Sequence, residues 1–171
     1  IRDRLDLTKL RPMTQVLSAF LFLFCSWGVI GCYGTFFLYF KDILLMQHSA
    51  SDVAWIGSIQ QFLAVLVGIL TSKWVDYGYM YAMCTVGSIL IVLGIMMNGQ
   101  GTQYVHIFFS HGVCVGVGTG LIYLPCITCC SEYHHQKPGV ALGLATLGSS
   151  LGSLIFPIMF NKLQPNIGYA W

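Results

Sequence analysis

The chain has 171 residues, of which 56% are apolar and only 8% are Asp, Glu, Lys or Arg, against roughly a quarter in an ordinary soluble domain. So few charges cannot cover a water-facing surface, and a net charge of +2 with a mean hydropathy of +0.74 also excludes a disordered or nucleic-acid-binding chain. The composition points to an all-α bundle solvated by lipid.

Five runs without a single Asp, Glu, Lys or Arg are long enough to cross a bilayer: Thr14 to Phe40, Val53 to Ser72, Met80 to Asn98, Tyr104 to Cys130 and Pro138 to Phe160. Helices are the expected spanning form, because barrel strands would alternate apolar and polar residues where this chain has stretches such as Ile89 to Met97. The first and fourth runs have 27 residues each, about 40 Å of helix at 1.5 Å per residue, so they tilt or protrude. What remains is a basic tail over residues 1–13, short connections, and residues 161–171, with no room for a separate soluble domain.

Lys and Arg stay preferentially on the cytoplasmic side. Arg2, Arg4, Lys9, Arg11, Lys73 and Lys137 share one side if the spans alternate, and only Lys41 and Lys162 fall on the other. The N-terminus is therefore expected in the cytoplasm, and the first span is too long to be a cleaved signal peptide. A start at Ile1 and a stop at Trp171 directly after an odd number of spans suggest a portion of a longer protein.

Glycines recur on helical stripes: Gly28, Gly31 and Gly34; Gly112, Gly116 and Gly120; Gly139 with Gly143; and Gly148 with Gly152. In lipid such stripes let helix backbones approach and gain dispersion contacts, and they also suit helices that move. Polar residues inside the spans must face protein or a water-filled cavity. These are Gln60 and Gln61 in the second span, His111 in the fourth, and Ser149 and Ser150 in the fifth. Adjacent residues on a helix point about 100 degrees apart, so one of the two glutamines can pair with a neighbouring helix while the other reaches a central cavity.

Enzymatic alternatives find no constellation. His106 and His111 share one helix, about 140 degrees apart in α geometry, and cannot clamp a haem. His48, His134 and His135 lie in connections. The run Cys126-Ile127-Thr128-Cys129-Cys130 continues an apolar helix, so all seven cysteines read as small buried hydrophobes, not as zinc ligands. All six acids lie outside the spans, and no catalytic triad, phosphate loop or paired carboxylates can be assembled. No cofactor, metal or covalent chemistry is expected.

Several stretches, in order and spacing, resemble the major facilitator superfamily, and within it the monocarboxylate-transporter-like permeases common in fungi. They are Ser26 through Ile30, Tyr33-Gly34 and Phe37 to Phe40; Ser51, Asp52 and Trp55 through Gln60; and Gly112 to Gly120 with Pro125. Tyr133 through Lys137, Ala141 to Ala145 and Gly148 to Ser150 complete the likeness, which covers essentially the whole chain.

The resemblance implies helices 1 to 5 of a six-helix N-terminal half, with residues 161–171 leading into a sixth helix outside this sequence. A second half would complete a carrier that moves a small organic solute, a monocarboxylate being one class, by alternating access. On the same likeness Tyr33, Gly34, Gln60, His111, Tyr123 and Ser149 are expected to line the substrate cavity. Asp76 and Gly78 resemble the acidic gating motif between helices 2 and 3, with Tyr79 and Met80 where basic residues usually follow. Lys137 is the remaining cation of the tyrosine-basic loop. Gly34 stands where animal monocarboxylate carriers place a lysine in helix 1, so the ammonium that would meet an anion is absent. The expected partners are the lipid bilayer, here the plasma membrane, the small organic solute and the missing C-terminal half, with no nucleic acid. The competing reading is a structural or interaction protein that associates through its glycine faces.

Overall fold

The computed structural model describes residues 2–41, 45, 49–100, 103–133 and 138–167, and among them no strand occurs. Helix α1 (Arg2–Gly31) is followed across Cys32 by α2 (Tyr33–Tyr39), and then come α3 (Ala50–Leu70), the single-turn α4 (Ser72–Asp76) and α5 (Met80–Gln100). Helix α6 (Tyr104–Ile107) passes through a π-helical stretch, Phe108–Cys114, into α7 (Val115–Tyr133), and α8 (Pro138–Ile167) closes the order.

Five segments are long and apolar enough to cross a membrane: Met13–Tyr39, Ala50–Leu70, Met80–Gly99, Tyr104–Ser131 and Gly139–Leu163. They match the charge-free runs of the sequence to within a few residues, and the chain is an all-α polytopic bundle. The helices outrun the apolar stretches at both ends of the chain. Helix α1 begins at Arg2, inside the stretch read as a tail, and α8 continues past Phe160 to Ile167.

Helix α7 is the hub, packing against α1, α3, α5 and α8, while α1 and α8 lie along each other. Leu23, Val115, Ile122 and Ala145 are buried at the junction of these helices. A second apolar cluster, Phe40, Val53, Ile56 and Ile107, closes the end of the bundle near α2 and α6. Large apolar side chains on the outer faces, among them Phe62, Ile69, Val92 and Leu147, are exposed. In water such a surface would drive association; in hydrocarbon it is solvated, and the backbone groups are satisfied within each helix.

The glycine stripes make two of the junctions, α1 with α8 and α7 with α3. A β-carbon on Gly28 would lie 2.8 Å from the Gly152 Cα, and one on Gly148 would overlap the Phe20 carbonyl oxygen. On α7, β-carbons at Gly116 and Gly120 would come within 2.8 Å of the Gln60 and 2.7 Å of the Ala64 carbonyl oxygens of α3. Gly139 and Gly143 behave otherwise, with nothing within 4 Å, so their spacing of four does not mark a helix contact here. The cysteine expectation also needs correction. Cys32, Cys126 and Cys130 are buried, but Cys25 is exposed on the outer face of α1.

Candidate functional site

Between the α1–α2 segment and α3 lies an open cleft of about 280 Å³. Tyr33 and Gly34 come from the start of α2, with Gln60 and Gln61 from the middle of α3, and Ile30 and Phe37 supply apolar wall. The placement begins with local structure. Ser49 and Asp52 form a capping box at the start of α3: the Ser49 hydroxyl accepts from the Asp52 N–H at 3.3 Å and the Asp52 carboxylate from the Ser49 N–H at 3.1 Å. That fixes where α3 begins and so which face carries Gly57 and Gln60.

Tyr33 packs its ring on Gly57, where a β-carbon would overlap it, and its hydroxyl donates to the Val53 carbonyl at 2.5 Å. The ring is thereby held as one wall of the cleft. Gly34 has nothing within 4 Å of where a β-carbon would stand, leaving open space beside the ring. Gln60 is fully buried, and neither its Oε1 nor its Nε2 has a hydrogen-bond partner among the described residues. An unpartnered buried amide group costs about 1–3 kcal/mol, so this carboxamide is an unused pair of hydrogen-bonding sites. The expected division of labour between the glutamines therefore differs in one respect. Gln60 and Gln61 both border the cleft, Gln61 on its exposed side, and Gln60 does not pair with a neighbouring helix.

His111 sits behind Tyr33, not in the cleft. Its ring is 5.6 Å from that of Tyr33, 5.2 Å from Phe36 and 5.9 Å from Phe40 by centroid, and its Nδ1 is 3.2 Å from the Asn98 Nδ2 of α5. The π-helical turn puts it there. Val115 N–H bonds back to the Ser110 carbonyl, five residues earlier, which widens the helix around His111. His106, by contrast, is exposed, and the 140-degree separation expected from α geometry does not apply across the π turn.

Tyr123 and Ser149 lie apart from the cleft. Tyr123 packs against Trp27 with ring centroids 5.0 Å apart, and the Ser149 hydroxyl donates to the Thr146 carbonyl of its own helix at 2.7 Å. Asp76 is the last residue of α4 and is exposed, so it does not begin the following helix. Gly78 has φ of +85° and closes a Schellman turn: Gly78 N–H bonds to the Val75 carbonyl at 2.9 Å and Tyr79 N–H to the Trp74 carbonyl at 3.1 Å. Lys137 lies outside the described residues. Three of the six expected lining residues, Tyr33, Gly34 and Gln60, thus share one cleft. The sequence did not single out Asn98 as the neighbour of His111, because it stands at the end of its apolar run.

Among the described residues, no group of three or more His, Cys, Asp or Glu could hold a metal ion. No family model matches the chain. It is 39% identical to the MFS-type transporter dbaD of Emericella nidulans, over 92% of this chain and 35% of that protein. It is 36% identical to MFS-type transporter 1 of an Ophiocordyceps species, over 94% and 36% respectively. A third relative, the Fujikurins efflux protein of Gibberella fujikuroi, is 35% identical over 91% of this chain and 34% of its own length. The chain spans about a third of the length of these three relatives. Over more than nine-tenths of its length, then, this chain is similar to about a third of proteins named MFS-type transporters.

Proposed function

We propose that the chain forms the solute-binding wall of a secondary carrier that moves a small organic molecule across a membrane by alternating access. The observation that carries this reading is the cleft between α2 and α3, which Tyr33, Gly34, Gln60 and Gln61 line together. In this reading the five spans are helices 1 to 5 of an N-terminal half, residues 161–171 lead toward a sixth, and a second half faces the cleft. Rocking of the halves exposes it to each side in turn.

His111 backs the Tyr33 wall, while Tyr123 and Ser149 border the path from other helices. Asp76, Gly78 and Lys137 act at the gate between halves. The N-terminus is cytoplasmic, on the distribution of Lys and Arg, and the membrane is the plasma membrane. Because one relative is named as an efflux protein for fujikurins, outward movement of an organic metabolite is the direction proposed. A monocarboxylate is the other solute class in scope, and it requires a cation that the cleft lining does not contain.

The test is flux. The protein at its full gene length, reconstituted in proteoliposomes, is expected to move organic metabolites in a saturable way, and Gln60→Ala is expected to lower apparent affinity about tenfold or more. Unchanged uptake and affinity in Gln60→Ala would make this residue packing only. Absence of flux for every carboxylate and uncharged metabolite, with specific binding of a membrane partner, would favour the interaction protein.

A further inference from the structure

We infer that Cys84 of α5 and Cys126 of α7 form a two-thiol modification site, which a peroxide converts to a disulfide joining the two helices. The ground is the register of α5 against α7. A β-carbon on Gly94 would lie 2.8 Å from the Ser110 carbonyl oxygen and from a Val115 methyl, and one on Gly87 would lie 2.7 Å from the Gly118 carbonyl oxygen and 2.8 Å from the Ile122 side chain. Rising numbers on α5 meet falling numbers on α7, so the helices run antiparallel with their backbones nearly touching. One turn further along the same seam, three residues before Gly87 and four after Ile122, stand Cys84 and Cys126. Spacings of three and four keep to one helix face, and the two thiols are within hydrogen-bonding reach of each other. A disulfide needs Cα atoms about 4.4–6.8 Å apart, a separation that calls for helices brought as close as these glycines bring them.

The two thiols differ in access. Cys84 is half-buried and lines an open pocket of about 520 Å³ between α1, α5 and α7, with Ser18, Thr85 and Ser88 on its polar side. Cys126 borders the same pocket but is itself buried. Cys129, one turn further along α7, is engaged elsewhere, its thiol donating to the Gln15 Oε1 at 3.2 Å. An accessible thiol beside a buried one is the arrangement of an attacked and a resolving cysteine. The Cys84 thiolate attacks hydrogen peroxide: an S–O bond forms, the O–O bond breaks, and the displaced hydroxide takes up the thiol proton as water. The Cys126 sulfur then attacks the sulfenic acid on Cys84. The S–S bond forms, the S–O bond breaks, and the leaving hydroxide carries off the Cys126 proton as a second water. Two thiols are oxidised and one peroxide is reduced. None of this depends on what the cleft between α2 and α3 binds, so its failure leaves the carrier reading standing.

The test is a map of linkages. The protein at its full gene length, held in nanodiscs, is treated with hydrogen peroxide, its remaining thiols are blocked with iodoacetamide, and its peptides are read by mass spectrometry. The Cys84–Cys126 link is expected to exceed every other pairing about tenfold and to disappear on treatment with dithiothreitol. With dimedone present, Cys126→Ser is expected to collect the sulfenic-acid adduct at Cys84, because the resolving thiol is gone, while Cys84→Ser leaves Cys126 largely unlabelled. The linkage map of the unsubstituted protein needs neither variant, so it stands should a serine disturb packing. No Cys84–Cys126 link at a peroxide dose that oxidises the methionines would overturn the inference. So would a dominant link from Cys126 to Cys129, or a dimedone adduct that favours Cys126 over Cys84.

Discussion

At Gly152 the backbones of α1 and α8 come so close that a β-carbon would overlap the Phe24 carbonyl oxygen and lie 2.8 Å from the Gly28 Cα. Carbonyl oxygens in a helix cannot yield as a flexible side chain can, so any larger residue must push the two helices apart. Gly152→Val is therefore expected to destabilise the protein by about 1–3 kcal/mol, the usual penalty for overpacking. Gly143→Val, on the same helix with nothing within 4 Å, is expected to be near neutral. Thermal unfolding of the two variants in the same detergent checks the contrast, and equal midpoints would contradict it. Both glycines belong to pairs spaced by four, so the spacing alone could not distinguish them: what matters is the neighbour, which sequence does not supply. The same limit hid Gly87 and Gly118, on α5 and α7, where each β-position falls within 2.8 Å of the other's carbonyl oxygen. Gln60 was legible as a polar residue that a lipid-solvated helix must turn inward. That its amide would lack any partner was not legible, because an empty hydrogen-bonding site is a property of what surrounds it.

At the scale of elements, spans are the legible feature and their interruptions are not. A charge inside hydrocarbon is costly wherever it stands, so the absence of Asp, Glu, Lys and Arg marks each span directly. The tightening at Gly31–Cys32, the π-helical stretch Phe108–Cys114 and the single-turn α4 carry no comparable mark, since apolar sequence accommodates α and π bonding alike. Between α4 and α5 one interruption does have a chemical signature. Gly78 sits at φ of +85° with open space around its β-position, so the only objection to a side chain there is the backbone itself. Gly78→Ala is expected to cost about 1–2 kcal/mol from the left-handed conformation alone. Gly78→Asn, a residue that tolerates this region better, is expected to recover part of that loss. Chemical denaturation in detergent ranks the three, and alanine equal to glycine would mean that the turn is free to adopt another geometry.

Over the whole molecule the distribution of basic residues becomes a statement about sidedness. Helix α3 has 21 residues, about 32 Å at 1.5 Å per residue, enough to cross the hydrocarbon once. Lys41 precedes it and Lys73 follows it, so a single crossing puts these two lysines on opposite sides of the bilayer. In the proposed orientation, with Lys and Arg retained on the cytoplasmic side, Lys73 is interior together with Arg2, Arg4, Lys9 and Arg11, and Lys41 is exterior. Cysteine substituted for Lys41 in the full-length protein is expected to react with a membrane-impermeant maleimide added to intact cells. Cysteine substituted for Lys73 is expected to react only after the membrane is permeabilised. Lys73→Cys labelled from outside with Lys41→Cys protected would invert the orientation, and with it the proposed outward direction of movement. Labelling of both from one side would be more damaging, because α3 would then not cross the membrane. The cleft between α2 and α3 would lose its place inside a carrier.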